Sequence, residues 1–298
     1  MGRYVITGGS GFIGQALCRR LATTGATIEV LSRDPARAAR VLPSGTHIVS
    51  RLEDLRHEVP IDAVVNLAGE PIADRRWTAT RKQRLRDSRI AVTDALVDWM
   101  RELDPRPGTL LSASAVGFYG DQGDVAVTEG SPPHEEFTHE LCADWEQSAS
   151  RARALGIRVT IARIGLVIGP DGGFLQRLLP EFRFGLGGPI GSGRQWMSWI
   201  HRDDLLSLFE WLLTHRNVVG VFNATAPNPV TSAQFAHTLG RVLHRPALLP
   251  LPEFVLRTAF GEMSRLLLTG QRVLPARALD AGFTFRFPDL ESALRDAL

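Results

Sequence analysis

The chain has 298 residues, 44% hydrophobic and 22% charged, with a formal net charge of +2, a length and balance that suit one sizeable α/β core with a smaller lobe. That charge names no partner, and a basic stripe with an aromatic platform for nucleic acid is missing. Cys18 and Cys142 are too far apart in sequence for a metal or disulfide framework, no leader pattern precedes the first apolar run, and no apolar run approaches the ~18 residues of a membrane span. A cytoplasmic protein with neither nucleic-acid nor membrane partners is expected, as a monomer or homodimer.

In chain order, β-rich apolar runs fall at 3–7, 27–32, 47–49, 63–67, 109–113, 158–164 and 220–224. Helical patterns lie between them at 12–24, 35–41, 78–102, 140–155 and 203–214. This alternation predicts βαβ units, a parallel sheet and helices on both its faces. A Gly-rich stretch at 169–193 interrupts it and carries Phe174, Leu178, Leu179, Phe182 and Phe184, so it reads as an ordered loop folded over a cleft. Beyond it the chain turns mostly helical, at 232–243, 253–258 and 291–298.

The strongest local pattern is Thr7-Gly8-Gly9-Ser10-Gly11-Phe12-Ile13-Gly14, between the first strand and the first helix. Gly8 permits a tight turn, Gly11 lets backbone approach a pyrophosphate, and Gly14 lets the helix pack on the strand. Backbone amides and the positive helix end then face the phosphates of a dinucleotide. The second strand ends Ser32-Arg33, where an acid would be needed to hold the ribose 2′-hydroxyl of NAD. Arg33 can instead clamp a 2′-phosphate, with Ser32 adding a hydrogen bond, so NADP(H) is the expected cofactor. Asp34 reads as the start or cap of the next helix.

Together with Asn66-Leu67-Ala68-Gly69, the glycine turn resembles the short-chain dehydrogenase/reductase superfamily, in its extended branch of nucleotide-sugar epimerases and dehydratases. Residues 112–120, 163–170 and 199–204 are similar to that branch's serine-bearing strand end, its segment beside the nicotinamide, and its late strand-to-helix turn. Residues 187–195, Arg76-Trp77-Thr78 and 270–275 resemble a narrower epimerase-like group with a distinctive C-terminal segment. The resemblance implies a Rossmann-like doubly wound parallel α/β sheet of about seven strands with a small C-terminal lobe. It divides the chain into a cofactor domain at 1–168 plus 202–226 and a substrate lobe at 169–201 plus 227–298. It also implies cofactor contacts from Thr7, Gly8, Ser10, Gly11, Phe12, Ile13, Gly14, Leu67, Ala68, Gly69, Ser112, Arg163 and Leu166.

The superfamily's Tyr-x-x-x-Lys dyad is absent. The chain has one lysine, Lys82, and two tyrosines, Tyr4 and Tyr119, neither with a lysine four residues on. Counting from Glu146, the dyad's place falls near Thr138 and Cys142, and neither has the needed chemistry. Ser114, the family's assisting serine, remains. Tyr119 either reaches substrate or packs locally, and His139 and Cys142 read first as helix residues. Glu70 and His201 are the remaining candidates for proton transfer, whether or not folding pairs them, and Asp204 reads as a helix cap. Between 74 and 89, seven cations (Arg75, Arg76, Arg81, Lys82, Arg84, Arg86, Arg89) stand against Asp74 and Asp87. Part of that cluster, or Arg194-Gln195, would suit an anionic small-molecule substrate such as a nucleotide sugar. The leading expectation is an NADP-dependent oxidoreductase or nucleotide-sugar epimerase with an atypical site. The alternative is a non-catalytic NADP(H)-binding sensor or scaffold, one candidate role being regulation of cell division.

Overall fold

The computed structural model describes residues 2–55 and 59–298. Strand and helix alternate from the start: β1 (Arg3–Thr7), α1 (Phe12–Thr23), β2 (Thr27–Leu31), α2 (Pro35–Ala39), β3 (His47–Val49), β4 (Ala63–Asn66), α3 (Ala79–Asp87), α4 (Ile90–Arg101) and β5 (Thr109–Ala115). The middle of the chain holds β6 (Ala126–Val127), α5 (Phe137–Ser150), β7 (Arg158–Ile164), β8 (Leu166–Ile168), α6 (Gly173–Arg183), β9 (Trp196–Met197), β10 (Trp199–His201), α7 (Arg202–Thr214) and β11 (Gly220–Ala224). Then come β12 (Val230–Thr231), α8 (Ser232–Leu243), α9 (Glu253–Phe260), α10 (Arg265–Leu268), β13 (Arg272–Val273), α11 (Ala276–Asp280) and α12 (Leu290–Ala297).

Seven strands form one sheet in the order β11-β7-β5-β4-β1-β2-β3, and every neighbouring pair is parallel. Its strands are apolar on both faces because helices cover both. Val5, Val64, Leu110 and Ile161 meet Leu96, Val97 and Met100 of α4 and Ala149 of α5. Their neighbours Ile6, Val65, Leu111 and Ala162 meet Leu17 and Leu21 of α1 and Leu205 and Phe209 of α7 on the other face. The order reverses between β1 and β4, so a crevice opens at their carboxyl ends, where such sheets bind ligands.

The helix expected over 78–102 is two helices. Ser88 ends α3, its hydroxyl accepts the Glu70 N–H, and the Arg89 side chain donates to the carbonyls of Leu85 and Glu70. The helix expected over 140–155 starts earlier, at Phe137, and gives way to a 3-10 turn over Arg151–Leu155. The stretch 169–193 is not all loop, since α6 runs through it despite Pro180. Leu175, Leu179 and Phe182 recur at helical spacing and enter a second core with Trp199, Phe235, Leu239 and Leu294. Only Phe174 of the three phenylalanines in that stretch reaches the cleft; Phe182 is in the lobe core and Phe184 is exposed. Asp204 is not the cap expected of it: it lies inside the first turn of α7, and His201 is the N-cap. Its buried carboxylate accepts the N–H groups of Arg286 (2.8 Å) and Phe287 (2.9 Å), tying the C-terminal segment to α7. No helix among the described residues is long and apolar enough to cross a membrane.

Candidate active site and dinucleotide cradle

The turn after β1 has the shape that its glycines foretell. Gly8 has φ +69°, and a Cβ there would lie 2.3 Å from the Leu67 carbonyl oxygen. A Cβ on Gly14 would lie 2.3 Å from the Gly8 carbonyl oxygen, so the first turn of α1 packs against the strand end. Gly11 differs: a Cβ there would meet only the Gly8 oxygen, at 3.2 Å, and the residue is exposed. Two glycines are thus required by the protein itself, while the third leaves open space over the N-terminus of α1. Around the turn, several of the expected cofactor contacts are backbone or packing positions. The Thr7 hydroxyl donates to Asn66 Oδ1 at 2.6 Å, and Ile13 packs on the first core. The Phe12 ring lies against Gly172 and Gly173 and beneath the Arg202 guanidinium, 5.4 Å away, so α1 is braced by the lobe.

At the end of β2, Arg33 projects into solvent with its side chain 85% exposed, 3.6 Å from Glu70. Ser32 is turned inward, its hydroxyl engaged with the backbone of Asp34, whose own carboxylate caps α2 by accepting the Arg37 N–H. Glu70 is also bound by Arg81, which holds its carboxyl below the usual carboxylate range. A carboxylate so held stays ionised near neutral pH, which suits pairing with Arg81 better than carrying a proton.

Tyr119 takes the second of its two readings and packs locally, together with Arg163 and Ser112. Arg163 Nε and Nη2 form two bonds to Glu146, at 2.8 and 2.9 Å, and Arg163 Nη1 donates to the Tyr119 hydroxyl at 3.0 Å. Tyr119 in turn donates to Asn223 Oδ1 at 2.7 Å and is fully buried, and burial pushes its pKa up. The guanidinium lies over Phe118, 3.3 Å from the ring centre. Ser114 donates to the same Glu146 carboxylate at 2.7 Å. Ser112 is enclosed in the sheet, its hydroxyl near Asn66 and the Ala113 carbonyl. These polar groups satisfy one another inside the protein, behind the cleft wall rather than on it. Tyr119→Phe is therefore expected to lower stability by about 1–3 kcal/mol, because Asn223 and Arg163 each lose a partner, and to leave cofactor affinity unchanged. Thermal melts and NADPH titration check both halves.

His201 ends β10, is fully buried and is not among the residues that line the cleft. Its Nδ1 accepts the Asp203 N–H at 3.2 Å, capping α7, and its ring lies 4.1 Å from that of Phe287. Burial lowers its pKa, and the nearest carboxylate to its Nε2 is Asp296 at 3.4 Å. The structure does not bring His201 and Glu70 together, and His201 serves the joint between the lobes.

The cleft lies at the carboxyl ends of β5 and β7 and has a volume of about 320 Å³. Thr138 and Cys142, the residues at the dyad's place, both line it, beside Ala115, Val116 and Leu166. Burial and Glu146 push the Cys142 thiol up to about 11, which removes it as a nucleophile. The Thr138 hydroxyl donates to Glu136 at 2.7 Å, and Glu136 accepts from Arg265 Nη2 at 2.7 Å. His139 is turned away, bonded to the Phe118 carbonyl.

A family model described as "NAD dependent epimerase/dehydratase family" matches residues 4–224, and one for a domain of unknown function (DUF1731) matches 251–297. The chain belongs to the NAD-dependent epimerase/dehydratase family. It is 42% identical to the chloroplastic SDR39U1-homologue epimerase family protein of Arabidopsis thaliana over 296 residues, 97% of this chain and 85% of that one. It is 40% identical to the epimerase family protein YfhF of Bacillus subtilis over 291 residues, 97% of this chain and 95% of that one. A crystal structure of the human epimerase family protein SDR39U1 with NADPH superposes with a TM-score of 0.89 at 34% identity, covering 99% of this chain and 98% of that one.

Within this epimerase-family fold the cleft wall owes much to residues that no motif singled out. Glu262, Arg265, Leu266, Leu267 and Thr269 come from the C-terminal segment, just before the 270–275 stretch, whose Gln271 also lines the cleft. Gln195 ties that segment to the lobe, its amide donating to the carbonyls of Ile190 (3.0 Å) and Leu267 (2.7 Å). The basic cluster is largely neutralised. Arg81 holds Glu70 and Asp74, Lys82 holds Glu262, Arg86 holds Glu140 and Asp144, and Arg76 binds the carbonyls of Thr258 and Ala259.

Proposed function

We propose that this protein is an NADP(H)-dependent oxidoreductase acting on a small-molecule carbonyl, or the matching alcohol, in the cleft. The observation that carries the proposal is the glycine turn. Gly8 and Gly14 are needed for the turn itself, whereas open space over Gly11 at a helix N-terminus has the form of a pyrophosphate seat. The NADPH in the human relative supports the same cofactor. Arg33 favours the phosphorylated form because its guanidinium is free to meet a 2′-phosphate, giving up only a weak exposed pair with Glu70.

NADPH supplies a hydride for the carbonyl carbon, with a proton needed at the oxygen. The chain's own part is to hold the pyrophosphate at the turn and the 2′-phosphate at Arg33, and to exclude water with Val116, Leu166 and Phe174. With Tyr119 sealed behind the wall, the hydroxyl at the strand end of the cleft is that of Thr138; its own proton goes to Glu136, so it positions the alcohol by accepting from it, and the proton for the carbonyl oxygen is drawn from water. Two-carbonyl or epimerase chemistry through a tyrosinate is not part of this reading. A second reading, a sensor that binds NADP(H) without turnover, draws support from the same lack of a tuned acid. Consumption of NADPH with a carbonyl substrate favours the enzyme; binding that alters a partner's affinity with no turnover favours the sensor.

A charge-assisted contact at Arg33 contributes on the order of 1.5–3 kcal/mol. The unmodified protein is thus expected to bind NADPH roughly ten- to a hundredfold more tightly than NADH. Arg33→Ala should remove most of that preference and leave NADH affinity as it was. Equal dissociation constants for the two cofactors in the unmodified protein would overturn the assignment.

A further inference from the structure

We infer that the cleft takes an uncharged, predominantly apolar carbonyl compound and disfavours nucleoside-diphosphate sugars; this rests on the oxidoreductase reading and names its substrate class. The wall is built of side chains such as Val116, Ile164, Leu166, Phe174, Met197 and Leu266. Its charged groups are two carboxylates, Glu136 and Glu262, and one guanidinium, Arg265. That guanidinium is already engaged, with both Nε (3.2 Å) and Nη2 (2.7 Å) on Glu136 Oε2. The nearby cation Lys82 is held by Glu262 at 2.7 Å, and its ammonium stands over the Phe137 ring, 4.7 Å from the centre. A diphosphate entering this space would meet an excess of negative charge and no unpaired arginine among the lining residues. Repulsion of that kind discriminates strongly, because the site must strip the anion of water without returning a partner. An apolar chain loses nothing by the same transfer and gains from leaving water. The cavity volume of about 320 Å³ suits one small organic ligand.

The polar features that remain in the wall serve orientation. The Thr138 hydroxyl, held by Glu136, sits at the strand-end side, beside Gly117 and Ala115. A ligand with a hydrocarbon body toward Phe174, Met197 and Leu266 satisfies the apolar part of the wall, and at the strand end the Thr138 oxygen, whose own proton goes to Glu136, accepts from the hydroxyl of the matching alcohol.

Displacement of the uncharged fluorophore N-phenyl-1-naphthylamine from the full chain tests this, with 2-decanone, decanoate and UDP-glucose as competitors. 2-Decanone is expected to displace the fluorophore at a concentration about tenfold below that of decanoate, with UDP-glucose ineffective at millimolar levels. Leu266→Glu should weaken the fluorophore and 2-decanone about tenfold, and Glu136→Gln should narrow the gap between ketone and carboxylate. Displacement by UDP-glucose or decanoate as effective as that by 2-decanone overturns the inference. So does a Leu266→Glu protein that binds the fluorophore unchanged, since the probe then occupies another surface, such as the one bearing the exposed Phe184, Leu248 and Phe254. A parallel NADPH titration keeps the two claims apart: loss of NADPH binding with ketone selectivity intact fails the cofactor reading alone.

Discussion

Gly11→Val is expected to reduce NADPH affinity by at least about a hundredfold while the protein stays folded. The two halves of that result have separate causes. In the free protein a Cβ at this position meets one atom, the Gly8 carbonyl oxygen at 3.2 Å, and the backbone is extended at φ −80°, a conformation any residue adopts. A shift of a few tenths of an ångström absorbs the contact. In the complex the two γ-methyl groups of valine would stand where the pyrophosphate must approach the amides of α1. Circular dichroism and titration should therefore diverge: an unchanged spectrum and melt beside a lost binding isotherm. The same substitution at Gly14 should unfold the turn instead, since a Cβ there lies 2.3 Å from backbone. A Gly11→Val protein that binds NADPH at the original affinity would mean that the pyrophosphate is held elsewhere.

The largest stability effect is expected at Glu146. Its carboxylate is the hub for Arg163 and Ser114, and both Glu146 and Arg163 are nearly inaccessible to water. Glu146→Ala leaves a guanidinium buried and uncompensated, and breaking such a pair from one side costs about 3–5 kcal/mol. In a chain of this size that lowers Tm by roughly 6–20 °C. Arg163→Met combined with Glu146→Leu should recover much of the loss, because a pair replaced from both sides by apolar groups leaves no orphan charge. A loss below about 1 kcal/mol for Glu146→Ala would show that water or another group reaches Arg163. NADPH affinity measured well below the melting point should be little changed, since the network lies behind the cleft wall.

The sheet was legible in the sequence because parallel strands are apolar on both faces and several of them, β1, β2 and β4 among them, have a helix as the next element. The glycine turn was legible because Gly14 is forced by the backbone of Gly8 and Gly9 just before it and Gly8 by its own positive φ, although the Leu67 carbonyl that also crowds Gly8 comes from the residue after β4. The break at Ser88 and Arg89 was not, since it depends on Glu70, a residue from another element, drawing both side chains out of the helical pattern. The helix over Gly173–Arg183 was hidden by its flanking glycines and by Pro180, although the spacing of Leu175, Leu179 and Phe182 was present. At the site, residue type misled where burial decides chemistry. Tyr119 and His201 are titratable on paper, but hydrogen bonds from Arg163 to one and from the Asp203 backbone to the other commit them to holding the fold. Arg265 and Glu262 carry no local signature at all; only the tertiary fold brings them more than a hundred residues along the chain to Glu136 and Lys82.

The cleft's dependence on residues 262–271 has a consequence for biosynthesis. During translation the strands and helices that bear the glycine turn emerge first and can begin to fold as a unit. The wall segment over 262–271 emerges well after them, so a nascent chain passes through a period with its apolar pocket open on one side. Val116, Leu166 and Phe174 are then exposed to whatever hydrophobic surface is nearby. Ribosome-bound chains stalled before residue 262 should accordingly engage chaperones more than chains in which residues 262–271 have emerged, and a cofactor that docks on the early half would shorten the interval by holding the rest of the frame in register.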